Sequence, residues 1–149
     1  MLKGIPSILP PELLKILMEM GHGDEIVIAD GNFPGASHAR NLVRCDGHGV
    51  PQVLEAVLRL FPLDSYVPQP VALMQVVPGD PVVPVIWDKY HEIVRRWEPQ
   101  AEKAGFEEVE RSLFYQRAKN AYAVVTTGET AIYANILLRK GIITGENAL

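Results

Sequence analysis

The sequence predicts an α/β protein: a three-layer sandwich with a mostly parallel, mixed central sheet and helices on both faces. Three observations carry this. Apolar, β-branched runs of 4 to 7 residues alternate with amphipathic stretches of helical period, the pattern of strands covered on both faces. The 12 Gly and 12 Pro fall between these segments as turn signals, with no internal repeat or low-complexity tract. The 149 residues are 48% hydrophobic, enough for a single-domain core over residues 1–149.

Pro10 and Pro11 suit the first turn of a helix, where a missing N–H is harmless, and Leu13, Leu14, Leu17 and Met18 then share a face until Gly21. Residues 25–29 (EIVIA) read as a strand buried on both faces and ended by Asp30. The following DGNFPGAS is dense in turn formers and reads as a loop at that strand's carboxyl end. A short strand at 42–45, closed by Asp46-Gly47, precedes a helix striped by Val53, Leu54, Val57, Leu58 and Phe61 and stopped by Pro62.

Residues 71–77 read as another buried strand, followed by the turn Pro78-Gly79-Asp80-Pro81. A helix over 85–97 points Ile86, Tyr90, Ile93, Val94 and Trp97 inward and Lys89, Glu92 and Arg95 outward, with His91 on the solvated side. Short strands at 106–109, 122–126 and 136–138 and a helix at 112–120 complete the chain.

With 14 Lys+Arg against 18 Asp+Glu, the net charge is −4, which argues against a surface that tracks nucleic-acid phosphates. The apolar N-terminal 21 residues are interrupted by Lys15 and Glu19 at helical spacing, so they read as part of the fold and not as a membrane anchor. The single Cys45 excludes an intramolecular disulfide, and cytoplasm is the expected compartment.

No phosphate-binding glycine loop, GxSxG elbow or HExxH is present, so chemistry rests on isolated polar groups. Cys45, Asp46 and His48 lack a fourth ligand and fit a turn; their roles, and that of His38, are unassigned, and no metal is expected. His22 lies between two glycines, which fits equally a helix C-cap and a backbone that approaches a ligand closely. Asp30 stands where open α/β sheets place ligand-binding groups, and equally where a turn needs a cap. Tyr133 and Asn135, two apart, would share a face in an extended segment, as sugar-binding groups or as an edge-strand pair. Arg111 opens a helix, where a cation opposes the dipole, a mild hint of function.

Five segments in order resemble one family: EMGHGDEIVIADGNFP at 19–34, LDSY at 63–66, FYQRA at 114–118, TGE at 127–129 and YANILLRKG at 133–141. Together they are similar to the ribose pyranase and fucose mutarotase family across nearly the whole chain. The resemblance implies an isomerase that interconverts the cyclic forms of a free monosaccharide without a cofactor. It implies His22 as the catalytic group and Asp30, Arg111, Tyr133 and Asn135 as sugar-binding groups; ring opening needs a second proton transfer, for which Tyr133 is the catalytic candidate. Arg111, where ribose pyranases tend to have His, points to L-fucose; D-ribose and a non-catalytic sugar-binding or transport-accessory module are the alternatives. Ala134 departs from the Gly that many members have between Tyr and Asn.

The resemblance also implies a ring-like homo-oligomer, a decamer or smaller, with sites near subunit interfaces. Five extended residues span roughly 17 Å at about 3.3 Å each, which would put His22 and Asp30 at opposite ends of one strand. Either residues 21–24 fold back, or the pocket is assembled between subunits; the ring that the resemblance implies favours the second.

Overall fold

The computed structural model describes residues 1–148. In chain order it contains α1 (Pro11–Glu19), β1 (Glu25–Ala29), α2 (Gly35–His38), β2 (Leu42–Cys45), α3 (Val50–Leu58), β3 (Val71–Met74), α4 (Ile86–Trp97), α5 (Pro99–Ala104), β4 (Glu107–Val109), α6 (Arg111–Asn120), β5 (Ala123–Thr127) and β6 (Ile136–Arg139). The strands form one sheet in the order β2-β5-β1-β6-β3-β4. The pairs β1/β5, β2/β5 and β3/β4 are parallel, whereas β6 runs antiparallel to both β1 and β3. The sheet is mixed, as the sequence predicts.

Alternation along β1 divides the core into two layers. Ile26 and Ile28 pack with Leu13, Leu17, Leu54, Val57, Tyr90 and Val94, which places α1, α3 and α4 on one face. Val27 and Ala29 pack with Phe33, Phe114 and Ala118, which places α6 on the other. Full burial of both faces of β1 is why its sequence shows no polar alternation. β2 is a sheet edge, and its exposed and buried residues do alternate.

Several local expectations change. Ile16, not Met18, completes the buried face of α1 with Leu13 and Leu17; Met18 is 84% exposed. The segment after Asp30 is not all loop, since residues 35–38 turn once as α2. β3 stops at Met74 and not at residue 77, because its neighbour β4 offers only three residues to pair. Trp97 is half exposed, its indole N–H donating to Glu55 at 2.6 Å. His91 is half buried, stacked on Phe106 at 4.0 Å. The helix α5 has no counterpart in the sequence reading, because six residues that bury only Ala101 leave no periodic signal.

The one antiparallel strand decides where polar groups meet. β6 pairs Ile136 with Ile28 and Arg139 with Glu25. The residues just before β6 therefore lie at the carboxyl ends of β1 and β3, and those that end it lie beside the start of β1. Polar groups thus gather at both ends of β1, around Asp30 at one and around His22 at the other.

Candidate active site

At the carboxyl edge a cavity of about 330 Å³ is lined by Asp30, Phe33, Met74, Asp80, Arg111, Tyr115, Ile132, Tyr133 and Asn135, among others. Four of the five residues singled out by sequence meet here. Asp30 ends β1 and does both things open to it. Its Oδ1 accepts the Asn32 N–H at 2.9 Å, an Asx turn, and the carboxyl faces the cavity. Its own N–H donates to Asn135 Oδ1 at 2.9 Å, so the two side chains are fixed relative to each other. Burial pushes the Asp30 carboxyl above its ordinary pKa, against the N–H groups of Asn32 and Phe33 and the Asn135 amide, with Glu129 adding repulsion.

Arg111 begins α6, and the adverse dipole is offset by Glu110. That carboxylate caps the helix by accepting the N–H groups of Ser112 and Leu113 at 2.9 and 3.2 Å. The Arg111 guanidinium lies 5.6 Å from the Tyr115 ring centre.

Tyr133 and Asn135 reach the cavity by a route other than strand alternation. Tyr133 has φ 58°, a left-handed conformation that is costly for a residue with a bulky side chain. The Trp87 indole N–H donates to the Tyr133 carbonyl at 2.8 Å, and the Tyr90 hydroxyl to that of Ala134 at 2.6 Å. Two side chains of α4 thus hold the strained turn. The Tyr133 phenol donates to Asp80 Oδ2 at 2.6 Å, and this bond holds its pKa above the ordinary value.

His22 is not in this cavity. The helix α1 is closed at Met20, whose N–H donates to the Ile16 carbonyl, so His22 is no C-cap. Its Nε2 lies 3.0 Å from Asp64 Oδ1, and its ring packs 5.4 Å from that of Tyr66. Asp64 is buried, and its second oxygen accepts from Arg139 Nε at 3.0 Å. Burial alone would raise its pKa; the Tyr66 N–H, His22 and Arg139 outweigh that and hold the carboxyl below its ordinary value. Gly23 (φ 86°) lets the loop pass Arg139, whose Nη2 would lie 3.1 Å from a Cβ there. Beside His22 runs an apolar groove of about 620 Å³ that includes Leu2, Met18, Leu60, Ile142 and Ile143. The groove and the polar cavity share no residue.

Sequence reasoning quoted Asp64 within LDSY without a role and missed Asp80 and Tyr115 in the cavity. A signal existed for both carboxylates. Each caps the N–H two residues on, Tyr66 for Asp64 and Val82 for Asp80, in turns rich in proline or serine. Cys45 is buried, and Asp46 pairs with Arg44 at 2.9 Å.

A layered α/β sheet with a small polar cavity at its carboxyl edge, lined by carboxylate, guanidinium, phenol and carboxamide, defines a class of protein whose site suits a small polar molecule. A sequence profile narrows this. The chain belongs to the RbsD / FucU transport protein family, whose profile matches residues 3–143. The chain is 50% identical over 152 residues to the fucose mutarotase of Homo sapiens, covering 95% of this chain and 94% of that one. It is 49% identical over 142 residues to the L-fucose mutarotase of Actinobacillus pleuropneumoniae serotype 5b, covering 95% and 97%. Its structure superposes with a TM-score of 0.91 on a fucose mutarotase from Streptococcus pneumoniae solved in complex with L-fucose. That match is at 49% identity and covers 96% of this chain and all of that one.

Proposed function

We propose that the protein is an L-fucose mutarotase, an isomerase that exchanges the α and β anomers of the free sugar. The observation that carries this is the similarity to fucose mutarotases along nearly the whole chain, with the polar cavity intact within it. Anomer exchange is redox-neutral: the C1 hydroxyl loses a proton, the ring oxygen gains one, and the aldehyde recloses on its other face. Proton donors and acceptors suffice for that stoichiometry, so no cofactor is called for.

Asp30, Arg111 and Asn135 hold the sugar hydroxyls and the open-chain form, and the fixed Asp30–Asn135 pair limits the orientations available. His22 is the general acid/base, with Tyr133 as second proton carrier; one such group typically contributes about 10²–10⁴-fold. Asp64 orients the His22 ring through the contact at Nε2. Because His22 and the cavity lie on opposite edges of the sheet, His22 of a second copy completes the site within a ring-like homo-oligomer. The apolar groove beside His22 suits such a subunit contact. No helix among the described residues is long and apolar enough to cross a membrane, and the lone, free Cys45 fits the cytoplasm.

Saturation transfer between the anomers of L-fucose, with catalytic amounts of protein, tests the reading. Transfer is expected, and His22→Ala should abolish it while sugar binding persists. Binding without transfer would make the protein a sugar-binding module, and faster exchange of D-ribose would make it a pyranase.

A further inference from the structure

Asp80 is a cavity carboxylate with two distinct engagements. Its Oδ1 accepts the Val82 N–H at 3.1 Å, which fixes the side chain in its turn, and its Oδ2 accepts the Tyr133 phenol at 2.6 Å. The phenol oxygen also receives the Val77 N–H at 3.3 Å. A phenol has one proton. Here that proton points to Asp80, so whatever the oxygen meets in the cavity it meets as an acceptor.

Tyr133 is also anchored from behind. Its left-handed backbone is unfavourable in a residue with a Cβ and is held by Trp87 at the carbonyl. Strain of this kind persists only where the surroundings over-determine it, and here the backbone carbonyl and the phenol of one residue are both fixed. Asp80 and Tyr133 line the same cavity as Asp30 and Arg111.

Resting on the mutarotase reading, we propose that Asp80 is a positioning residue that takes the sugar's proton through Tyr133, the two side chains forming a relay. As the bond between C1 and the ring oxygen breaks, its electron pair goes to the ring oxygen, which receives a proton from the acid, His22 in the proposed site. The C1 hydroxyl passes its proton to Tyr133 Oη and becomes the aldehyde carbonyl. In the same event the phenol's own proton moves to Asp80 Oδ2. One proton has left the sugar and one has entered it, and reclosure on the other face reverses both transfers. The coupling matters because neither alternative is accessible near neutral pH. The Asp80 hydrogen bond disfavours a resting phenolate, and a phenol that accepted a proton without giving one up would be a strongly acidic oxonium.

The test is saturable L-fucose exchange measured for the unaltered protein, Asp80→Asn, Asp80→Glu, Tyr133→Phe and the Asp80→Asn/Tyr133→Phe double variant. Asp80→Asn keeps an acceptor for hydrogen bonds but cannot hold the proton. Its kcat should fall by about 10-fold or more, with KM changed by less than about 3-fold. The double variant should be no slower than Tyr133→Phe alone, and Asp80→Glu should retain more activity than Asp80→Asn. A normal kcat in Asp80→Asn, a loss confined to KM, or effects that multiply in the double variant would overturn the relay alone. No exchange by the unaltered protein would overturn the functional reading, and the relay with it.

Discussion

Replacing Tyr90 by Phe tests how the fold holds the site together. Tyr90 is fully buried, and burial raises its pKa, so the hydroxyl stays a donor. It donates at 2.6 Å to the carbonyl of Ala134, between the strained Tyr133 and Asn135. Phenylalanine keeps the ring packing and removes only this donor, leaving a buried carbonyl short of a partner, at a cost of about 1–3 kcal/mol. At this chain length about 2 kcal/mol lowers Tm by roughly 4–8 °C. With one of two clamps gone, the left-handed turn has less to offset its own strain. Tyr133 and Asn135 then lose alignment, and Asp30 follows through its N–H bond to Asn135. Misplacement by about 1 Å can cost about 10²-fold in rate. Thermal melting and L-fucose exchange should therefore fall together. An unchanged Tm and rate would refute the claim that α4 holds the turn.

Asp30→Asn should raise Tm while lowering exchange by about 10²-fold. A buried carboxyl whose folded pKa is raised destabilises the native state at pH above that value, and the amide removes this while still accepting the Asn32 N–H. Asp64 has the opposite sign. Its folded pKa is depressed, so its contribution is present above the unfolded value of about 3.9 and is lost as pH falls through the folded one. Asp64→Asn should accordingly flatten the acid side of a Tm-against-pH curve, and an unchanged curve would contradict the assignment. Gly141→Ala should destabilise by about 1–3 kcal/mol, because a Cβ there collides with the Leu63 carbonyl beside Asp64. Melting and exchange should both show the loss, and full activity would mean the loop shifts without moving Asp64.

How much was legible follows from the range of the interactions. β1 and β5 were readable because burial on both faces leaves an unbroken apolar run, and the stripe of α3 because its nine residues bury one side. The reversal of β6 was not, since a strand of four residues carries no mark of its direction. That reversal is what brings Asn135 to Asp30, 105 residues apart. The separation of His22 from Asp30 was legible from strand length alone. The partners that give those groups their chemistry were not. Asp64 lies 42 residues from His22 and Asp80 lies 53 from Tyr133, and nothing local marks either pairing.

Whether the cavity binds L-fucose and His22 of another copy moves its proton can be read directly from mixed assemblies. Coexpressing His22→Ala and Asp30→Asn in equal amounts tests both parts at once. With random assembly, roughly one site in four combines an intact His22 with an intact Asp30 from different chains. Anomer exchange at about a quarter of the unaltered rate is the predicted result, with each variant alone close to inactive. A mixture as inactive as its parents would contradict the shared site, as would full exchange by His22→Ala alone.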